Sequence, residues 1–482
     1  MKRRPTASKK TSRRNRRKRE AKFLERVHLN AAGIDIGSAS HWVAVPEDRD
    51  DQPVREFRSF TPDLHELADW LDVCGIETVA MESTGVYWIP LFEILQDRGF
   101  EVLLVNARHV KGVPGRKTDI VDCQWLQQLH TFGLLRGSFR PDPEITAIRT
   151  LVRHRGTLVE ERAAHIQRMQ KSMTLMNVQL HNVITDVTGV TGMAILRDIV
   201  AGQTDPTVLA RHRDYRCKAP EKDFVASLTG HYRPELVFAL RQSIELYDVY
   251  QVKLRACDEQ IEALIRALQA QCPTPDRELA ARPSTKKRSK NEPYFDIRSP
   301  LFVLAGGVDI TEVPGIGPYG ALQIISEIGF DMSRWPSPGH FASWLTLAPH
   351  NKISGGKLLG SATQPSANRA AKTLRIAAMS IARSDHALAA FYRRLAGRIG
   401  KAKAITATAR KLAVIIYCML RDHTPYRDQP AALYDERHRK RALIGLRKRA
   451  QSLGFDLVQI DSGLVLESPP STPKTASNQA VS

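Results

Sequence analysis

Cysteine is scarce in this sequence, and long apolar runs are missing from it. The chain has 6 Cys in 482 residues and no C-x-x-C pair, so the sequence argues against a structural zinc site. No run approaches the roughly 18 apolar residues that a membrane-spanning helix needs. The basic N-terminus also lacks the apolar stretch of a secretory signal. We therefore expect reduced thiols in a cytoplasmic protein with no membrane partner.

Acidic residues are outnumbered by basic ones, and the imbalance is concentrated at the N-terminus. The chain has 71 Lys+Arg against 51 Asp+Glu, a net charge of +20. Residues 1–22 hold twelve Lys or Arg and a single acid. Arg13, Arg14, Arg16 and Arg17 are too dense to fold alone, because like charges repel and nothing apolar is available to bury. Such an arm favours nucleic acid through counterion release, although a solubilising tail is the alternative.

Composition and hydrophobic periodicity divide the chain into six segments. The predicted segments are a disordered basic arm (1–30), an α/β domain (31–150), a helical coiled-coil region (151–272), a basic linker (273–300), a helical C-terminal domain (301–425), and a basic helix with a disordered tail (426–482). The fold class is therefore an α/β domain followed by α-helical regions. In the middle region, apolar residues repeat in steps of three and four, with Gln251 and Asp258 as polar interruptions. This seam predicts helices that pair either within one bundle or between chains.

The α/β domain begins with three strand patterns in a row and continues with alternating helices and strands. The predicted strands lie in 32–38, 41–45, 54–60, 78–82 and 101–105. This order predicts a mixed sheet covered by helices.

Four carboxylates form the strongest chemical pattern. Asp35 lies mid-strand between isoleucines, where a charge is costly unless it binds a cation or points into a cleft. Glu82 ends another strand, where sites gather in open α/β sheets. Asp119 and Asp122 share one face of a predicted helix start; the alternative is that they only charge that first turn. Hard cations such as Mg²⁺ take oxygen ligands, and two such ions stabilise the attacking and leaving oxygens of phosphoryl transfer.

A Gly-rich turn marks the C-terminal domain. The sequence from Glu312 to Gly329 is typical of a helix-hairpin-helix, in which Gly315 and Gly317 permit a tight turn and Pro318 starts the next helix. Backbone N–H groups at such a turn hold phosphate without reading bases. The alternative is a plain helical hairpin.

Three segments of the α/β domain resemble the metal-binding motifs of the DEDD transposases of the Piv type. The segments are Gly33-Ile-Asp-Ile-Gly-Ser, Met81-Glu-Ser-Thr-Gly-Val-Tyr-Trp and Lys117-Thr-Asp-Ile-Val-Asp. The resemblance implies an RNase H-like (RuvC-like) domain in which Asp35, Glu82, Asp119 and Asp122 are catalytic Mg²⁺ ligands, for two ions. It also implies supporting roles around the glutamate for Thr84, Gly85 and Tyr87. Cys123 stands where the family usually has Ala.

The C-terminal domain resembles the transposase domain of the same family. The resemblance places Ser354 on the nucleophilic serine and Arg375 on an arginine of the following Leu-Arg helix. From the residues themselves, Ser354 lies in a Gly-rich loop where its hydroxyl can be exposed. Lys352 and Lys357 flank it and are suited to hold a phosphate. No His–Asp partner is visible, so its activation would rest on metals and cations.

The resemblance covers about 32–150 and 301–421 and implies a function. Family members are insertion-sequence recombinases guided by a bridge RNA, so we expect DNA, a guide RNA and a homo-oligomer (dimer or tetramer) as partners, in the nucleoid. In the family, serine and carboxylates are brought together between subunits. Two other functions stay open: a junction-resolving nuclease that uses only the carboxylates, and a nucleic-acid-binding protein with a decayed site.

Overall fold

The structure is a computed structural model that describes residues 25–106, 119–281, 290–428 and 430–458. The chain divides into two compact units, Met1–Arg140 and Pro141–Ser482. In the part of the chain that is described, no helix is both long and apolar enough to cross a membrane. Several predictions fall outside the described residues: the basic arm with Arg13, Arg14, Arg16 and Arg17, the centre of the linker, and the end of the tail.

The first unit contains a five-stranded mixed sheet, which confirms the predicted architecture. Its strands are β1 (Ala31–Ile36), β2 (Ser40–Ala44), β3 (Val54–Arg58), β4 (Thr78–Glu82) and β5 (Glu101–Val105). Their order is β3-β2-β1-β4-β5. β1 pairs antiparallel with β2, whereas β1, β4 and β5 are parallel to one another. This mixed sheet with its helices is consistent with an RNase H-like domain.

Helices cover both faces of this sheet. The helices are α1 (Thr61–Val73), α2 (Trp88–Asp97) and α3 (Asp119–Thr131). One face buries Ile34 and Met81 in a core shared with Leu67 and Leu71 of α1 and Leu91 of α2. On the other face, a smaller cluster joins Ala80, Val105 and Leu126, the last from α3. Because side chains alternate along a strand, successive residues of a strand contribute to these two different cores.

Where it is described, the second unit is helical apart from one short hairpin. Its helices are α4 (Pro143–Leu175), α5 (Val190–Val200), α6 (Pro206–Ala210), α7 (Glu221–Leu228), α8 (Pro234–Gln269), α9 (Arg298–Leu304), α10 (Pro318–Ile328), α11 (Pro338–Trp344), α12 (Arg369–Ser380), α13 (Ala387–Ile399), α14 (Lys401–Asp422) and α15 (Ala431–Ser452). Single 3₁₀ turns occur at Leu180–Asn182, Ile310–Glu312 and Ile381–Arg383. The hairpin is formed by β6 (Lys352–Ser354) and β7 (Lys357–Gly360).

Two features of the structure lie at the predicted boundaries. Residue 150, the predicted end of the α/β domain, lies inside α4, and the division between the units precedes that helix. The end of the predicted linker is packed, since Pro293, Phe295 and Ile297 are buried. Composition indicates a linker because prolines and cations are dense in this segment, but the apolar residues at its end pack in the protein core.

The predicted seam joins two helices of the same chain. α4 and α8 pack along each other, and the polar interruptions of α8 face arginines of α4. Gln251 accepts a hydrogen bond from Arg162 at 2.6 Å. Asp258 pairs with Arg155 at 2.5 Å, with both side chains 3% exposed. The backbone N–H of Tyr294 also donates to Asp258 at 3.1 Å. The polar positions thus fix the pairing of α4 with α8 and hold the end of the linker segment against them.

Replacing Asp258 with Ala is expected to lower the free energy of unfolding by about 3–5 kcal/mol, because Arg155 would stay buried without its anion. Chemical denaturation of the full chain measures this change. The matched control is Asp248→Ala, which removes an exposed partner of Arg197 (55% and 46% exposed side chains) and should cost less than about 1 kcal/mol. Equal losses in the two variants would contradict a structural role for the buried pair.

Candidate active site

Two of the four predicted carboxylates lie side by side on the sheet. β1 and β4 are parallel neighbours in which Ile34 pairs with Met81. The next residue of each strand is the acid, so Asp35 and Glu82 stand level on adjacent strands. Ile34 and Met81 are fully buried under α1 and α2. Because side chains alternate, Asp35 and Glu82 face the opposite side of the sheet, where α3 lies.

The other two carboxylates arrive on α3, and a glycine lets that helix approach. A Cβ at Gly33 would lie 2.3 Å from the backbone nitrogen of Gln127 and 2.4 Å from the carbonyl oxygen of Cys123. Gly33 is two residues before Asp35 and shares its face. The backbone of α3 therefore rests directly on β1, one pleat away from Asp35. Sequence reasoning assigned Gly33 no role of its own, although it belongs to the first motif.

Cys123 lies in the electrostatic field of acids from two elements. Burial raises the pKa of the Cys123 thiol to about 12, and the negative charges of Asp35 and Asp122 add to the shift. An acid of β1 and an acid of α3 thus act on the same buried thiol. Asp119 begins the helix and is exposed, whereas Asp35, Glu82 and Asp122 are half-buried. The structure therefore brings a strand pair and one helix start to the same face of the sheet.

This donor set fits a divalent cation by its chemistry. Carboxylate oxygens are the ligands that Mg²⁺ takes. Asp35 and Glu82 lie on this face, on which the helix that carries Asp119 and Asp122 packs. Thr84 adds a contact, since its hydroxyl donates to Glu82 Oε1 at 3.1 Å. Within the described residues, no three His, Cys, Asp or Glu side chains are arranged to hold a metal ion. Asp119 and Asp122 also lie where a helix N-terminus favours negative charge.

Replacing Gly33 with Ala is expected to displace α3 and with it Asp119 and Asp122. The added methyl would meet backbone atoms that cannot rotate away, so we expect a loss of several kcal/mol of stability, on the order of an overpacked core. The control is Gly156→Ala in α4, where a Cβ meets nothing within 4 Å and should stabilise the helix by about 0.5–1 kcal/mol. Thermal unfolding of both variants checks this pair, and an unchanged stability of Gly33→Ala would refute the close approach.

The predicted nucleophile lies at the tip of the hairpin in the second unit. Ser354 ends β6 and pairs with Lys357, the first residue of β7. Gly355 and Gly356 form the turn with φ of 54° and 75°, as both central residues of a type I′ turn require. Ser354 and its neighbours Lys352 and Lys357 are all exposed. The predicted Gly-rich loop is therefore a β-hairpin that presents the hydroxyl between cations.

The segment after the hairpin has a structural task. Asn368 caps α12, where its side chain accepts a hydrogen bond from the backbone N–H of Ala371 at 2.9 Å. Ser366 in turn accepts from the backbone N–H of Asn368 at 3.0 Å. Arg375 lies half-buried in the same helix. This cap, which sets where α12 begins, was not predicted, although Asn is a preferred N-cap residue.

The two glycines of the predicted phosphate turn have different surroundings. Gly315 has a φ of +84°, and a Cβ there would lie 2.6 Å from the carbonyl oxygen of Ala377 in α12. Gly317 is exposed at the N-cap of α10, and a Cβ there meets nothing within 4 Å. Only a 3₁₀ turn, Ile310–Glu312, directly precedes this segment. Gly315 is thus required by the packing against α12, whereas Gly317 leaves the N-terminus of α10 exposed to solvent. The helix-hairpin-helix stays a prediction.

Comparisons with known proteins match both units. A family model described as a transposase, of the DEDD type named for IS110, matches residues 32–178. A second model, described as the transposase IS116/IS110/IS902 family, matches residues 309–393. A protein of Streptomyces coelicolor, the insertion element IS110 uncharacterized 43.6 kDa protein, is 31% identical over 126 residues. That match covers 26% of this chain and 31% of the relative.

Proposed function

We propose that this chain, which belongs to the IS110 family of DEDD transposases, cleaves and rejoins DNA to excise and insert its own insertion sequence. The observation that carries the proposal is that Asp35 and Glu82 stand level on adjacent strands, on the face of the sheet where the backbone of α3 rests, inside the first matched region. A plain nucleic-acid-binding protein has no use for four carboxylates there, because they repel the phosphates that it binds.

Asp35, Glu82, Asp119 and Asp122 would hold divalent cations, for which we propose two Mg²⁺ ions. When bound, these ions neutralise the charge that develops on the phosphodiester oxygens. Other residues of the chain position these carboxylates. Thr84 orients Glu82 by a hydrogen bond, and the contact of Gly33 with α3 keeps the acidic turn over the strands.

Ser354 is the proposed nucleophile. Its Oγ attacks the phosphorus of a DNA phosphodiester, the bond from phosphorus to one deoxyribose oxygen breaks, and that oxygen leaves as a hydroxyl after taking up a proton. The serine hydroxyl loses its own proton, so the step is balanced and yields a phosphoserine link. Lys352 and Lys357 lie beside the serine and stabilise the additional negative charge. Attack by a second deoxyribose hydroxyl reverses the step and rejoins DNA.

The finer parts of the proposal concern partners. DNA ends and target are the substrates, a guide RNA supplies sequence choice by base pairing, and the protein supplies backbone contacts. We propose that the chain acts as a dimer or tetramer in the nucleoid. These partners are implied by the family, and the basic arm at residues 1–22 offers phosphate-binding charge for either nucleic acid. We also propose DNA contacts at Gly317, by its backbone, and at Arg375, Lys352 and Lys357, by their charge.

A strand-exchange assay tests the proposal. The full-length protein is incubated with duplex DNA spanning an element end and a second duplex carrying a target, with Mg²⁺ or with EDTA, and with or without RNA transcribed from the flanking non-coding region. We expect recombined product only with Mg²⁺, and only with RNA. Cleavage without joining would replace the transposase by a junction-resolving nuclease. Binding without cleavage, on DNA that a cell-based excision assay shows to be mobilised, would refute catalysis by this chain.

A further inference from the structure

A basic helix lies beyond both matched regions. The second family match ends at residue 393, and α15 begins at Ala431. The only acids of the helix are Asp435 and Glu436, near its start. Seven cations follow without another acid: Arg437, Arg439, Lys440, Arg441, Arg447, Lys448 and Arg449. The charge of this helix therefore lies outside the two regions that match the family.

The start of α15 is anchored, and the rest is uncovered. Ala431 is buried, and the ring of Tyr434 lies edge-on to Phe391 of α13 with centroids 6.4 Å apart. The guanidinium of Arg394 lies 5.1 Å from the centre of the Tyr434 ring. From Asp435 to Arg449, every residue is exposed in the described part of the chain. The first turn of α15 is thus packed against α13, and the basic turns that follow are exposed.

The charge distribution favours a polyanion on this helix. Like charges one turn apart, such as Arg437 and Arg441, destabilise a helix. The pair of Lys440 with Glu436 at 2.7 Å offsets only part of this repulsion. Phosphates that neutralise the cations would therefore stabilise α15 as they bind it.

The placement of the charges indicates the shape of the partner. At about 3.6 residues per turn, the seven cations cover all sides of the helix, and the exposed Leu443, Ile444 and Leu446 do not form one stripe. A membrane surface calls for cations on one face and apolar residues on the other. The major groove of B-DNA is about 12 Å wide and admits a helix between two phosphate walls. The major groove of A-form RNA is too deep and narrow for side chains to read.

We propose that α15 binds duplex DNA by lying in the major groove, with its cations on the phosphates of both walls. This inference deepens the proposed function, on which it rests for its choice of substrate, by naming a DNA-binding surface. The groove contact is backbone-directed: it adds affinity and orientation, whereas sequence choice lies elsewhere.

The test compares two triple variants of the full chain. In the first, Arg447→Gln, Lys448→Gln and Arg449→Gln are combined in α15. In the second, Arg211→Gln, Lys218→Gln and Lys222→Gln remove the same charge from other exposed positions. The probe is a fluorescein-labelled, mixed-sequence DNA duplex of about 30 base pairs, roughly three helical turns, read by anisotropy over a series of KCl concentrations. A same-sequence RNA duplex is titrated in parallel.

For the α15 variant, we expect the slope of log Kd against log salt to fall by about 2–3 and Kd near 0.1 M KCl to rise about 100-fold. The control variant should keep the wild-type slope. A wild-type slope in the α15 variant, an equal loss in the control, or a loss confined to RNA would overturn the proposal. Asp119→Asn separates this question from catalysis, since its DNA binding should keep the wild-type salt slope. If the wild-type protein bound DNA through α15 but showed no strand exchange, only the proposed function would be refuted.

Discussion

Replacing Asp119 with Asn is expected to lower the rate of DNA strand cleavage at least about 1000-fold. The amide keeps the size of the side chain but loses the charge that a divalent cation requires, and Asp119 is exposed at the start of α3, so the fold should not change. The measurement is the initial rate of product formation on a denaturing gel at saturating Mg²⁺, with DNA affinity measured on the same preparation.

Asp223→Asn is the matched control for that variant. Asp223 is also an exposed acid in the first turn of a helix, α7, so its replacement makes the same change to a helix N-terminus away from the site. It should retain the wild-type rate. If Asp119→Asn cleaved DNA as fast as Asp223→Asn did, the acidic start of α3 would serve only the helix dipole, and the metal-ligand assignment would be wrong.

Local patterns were sufficient to predict the sheet. β1, β4 and β5 carry apolar residues on the face that packs against the helices, and Asp35 and Glu82 interrupt the apolar run of β1 and β4. The alternation that buries Ile34 and Met81 also sends Asp35 and Glu82 to the other face. What the pattern does not contain is the parallel register of β1 and β4, which sets the two acids level. That register depends on the whole sheet.

The close approach of α3 to β1 depends on tertiary packing, which the hydrophobic periodicity of the sequence does not indicate. Gly33 sits in a strand where glycine is normally unfavourable, and this is the signal that a backbone lies nearby. Only the structure shows that the backbone belongs to Cys123 and Gln127. The same limit applies to the helical seam. Its period predicts pairing but does not name the partner, and the arginines that meet Gln251 and Asp258 come from a distant helix of the same chain.

The hairpin at Ser354 shows a signal that was present in the sequence and underused. Two consecutive glycines between short apolar stretches are typical of a two-residue hairpin turn, yet composition alone classed the segment as a loop. The segment is short and exposed except at Gly360, so no burial pattern supported a strand assignment. The consequence for function is favourable, because a hairpin fixes the serine opposite Lys357 more firmly than an open loop would.

Ser354→Ala is expected to abolish both the covalent protein–DNA adduct and strand exchange, a loss of at least about 1000-fold, because no other group in the proposal forms the phosphoserine bond. The side chain is exposed, so its removal should leave the unfolding transition unchanged. The adduct is trapped by denaturing the reaction in detergent and is read as labelled DNA that migrates with the protein.

Ser361→Ala provides the control, since Ser361 is another exposed serine just beyond β7 and its loss should spare the adduct. The combination with Asp119→Asn separates the two chemical contributions. If Ser354→Ala still cleaves DNA in Mg²⁺ without forming an adduct while Asp119→Asn does not, the carboxylates alone hydrolyse the strand and the chain is a metal-dependent nuclease. If both variants lose cleavage and only Ser361→Ala retains it, the serine and the carboxylates act on the same phosphodiester, which is the outcome that a serine-dependent transposase requires.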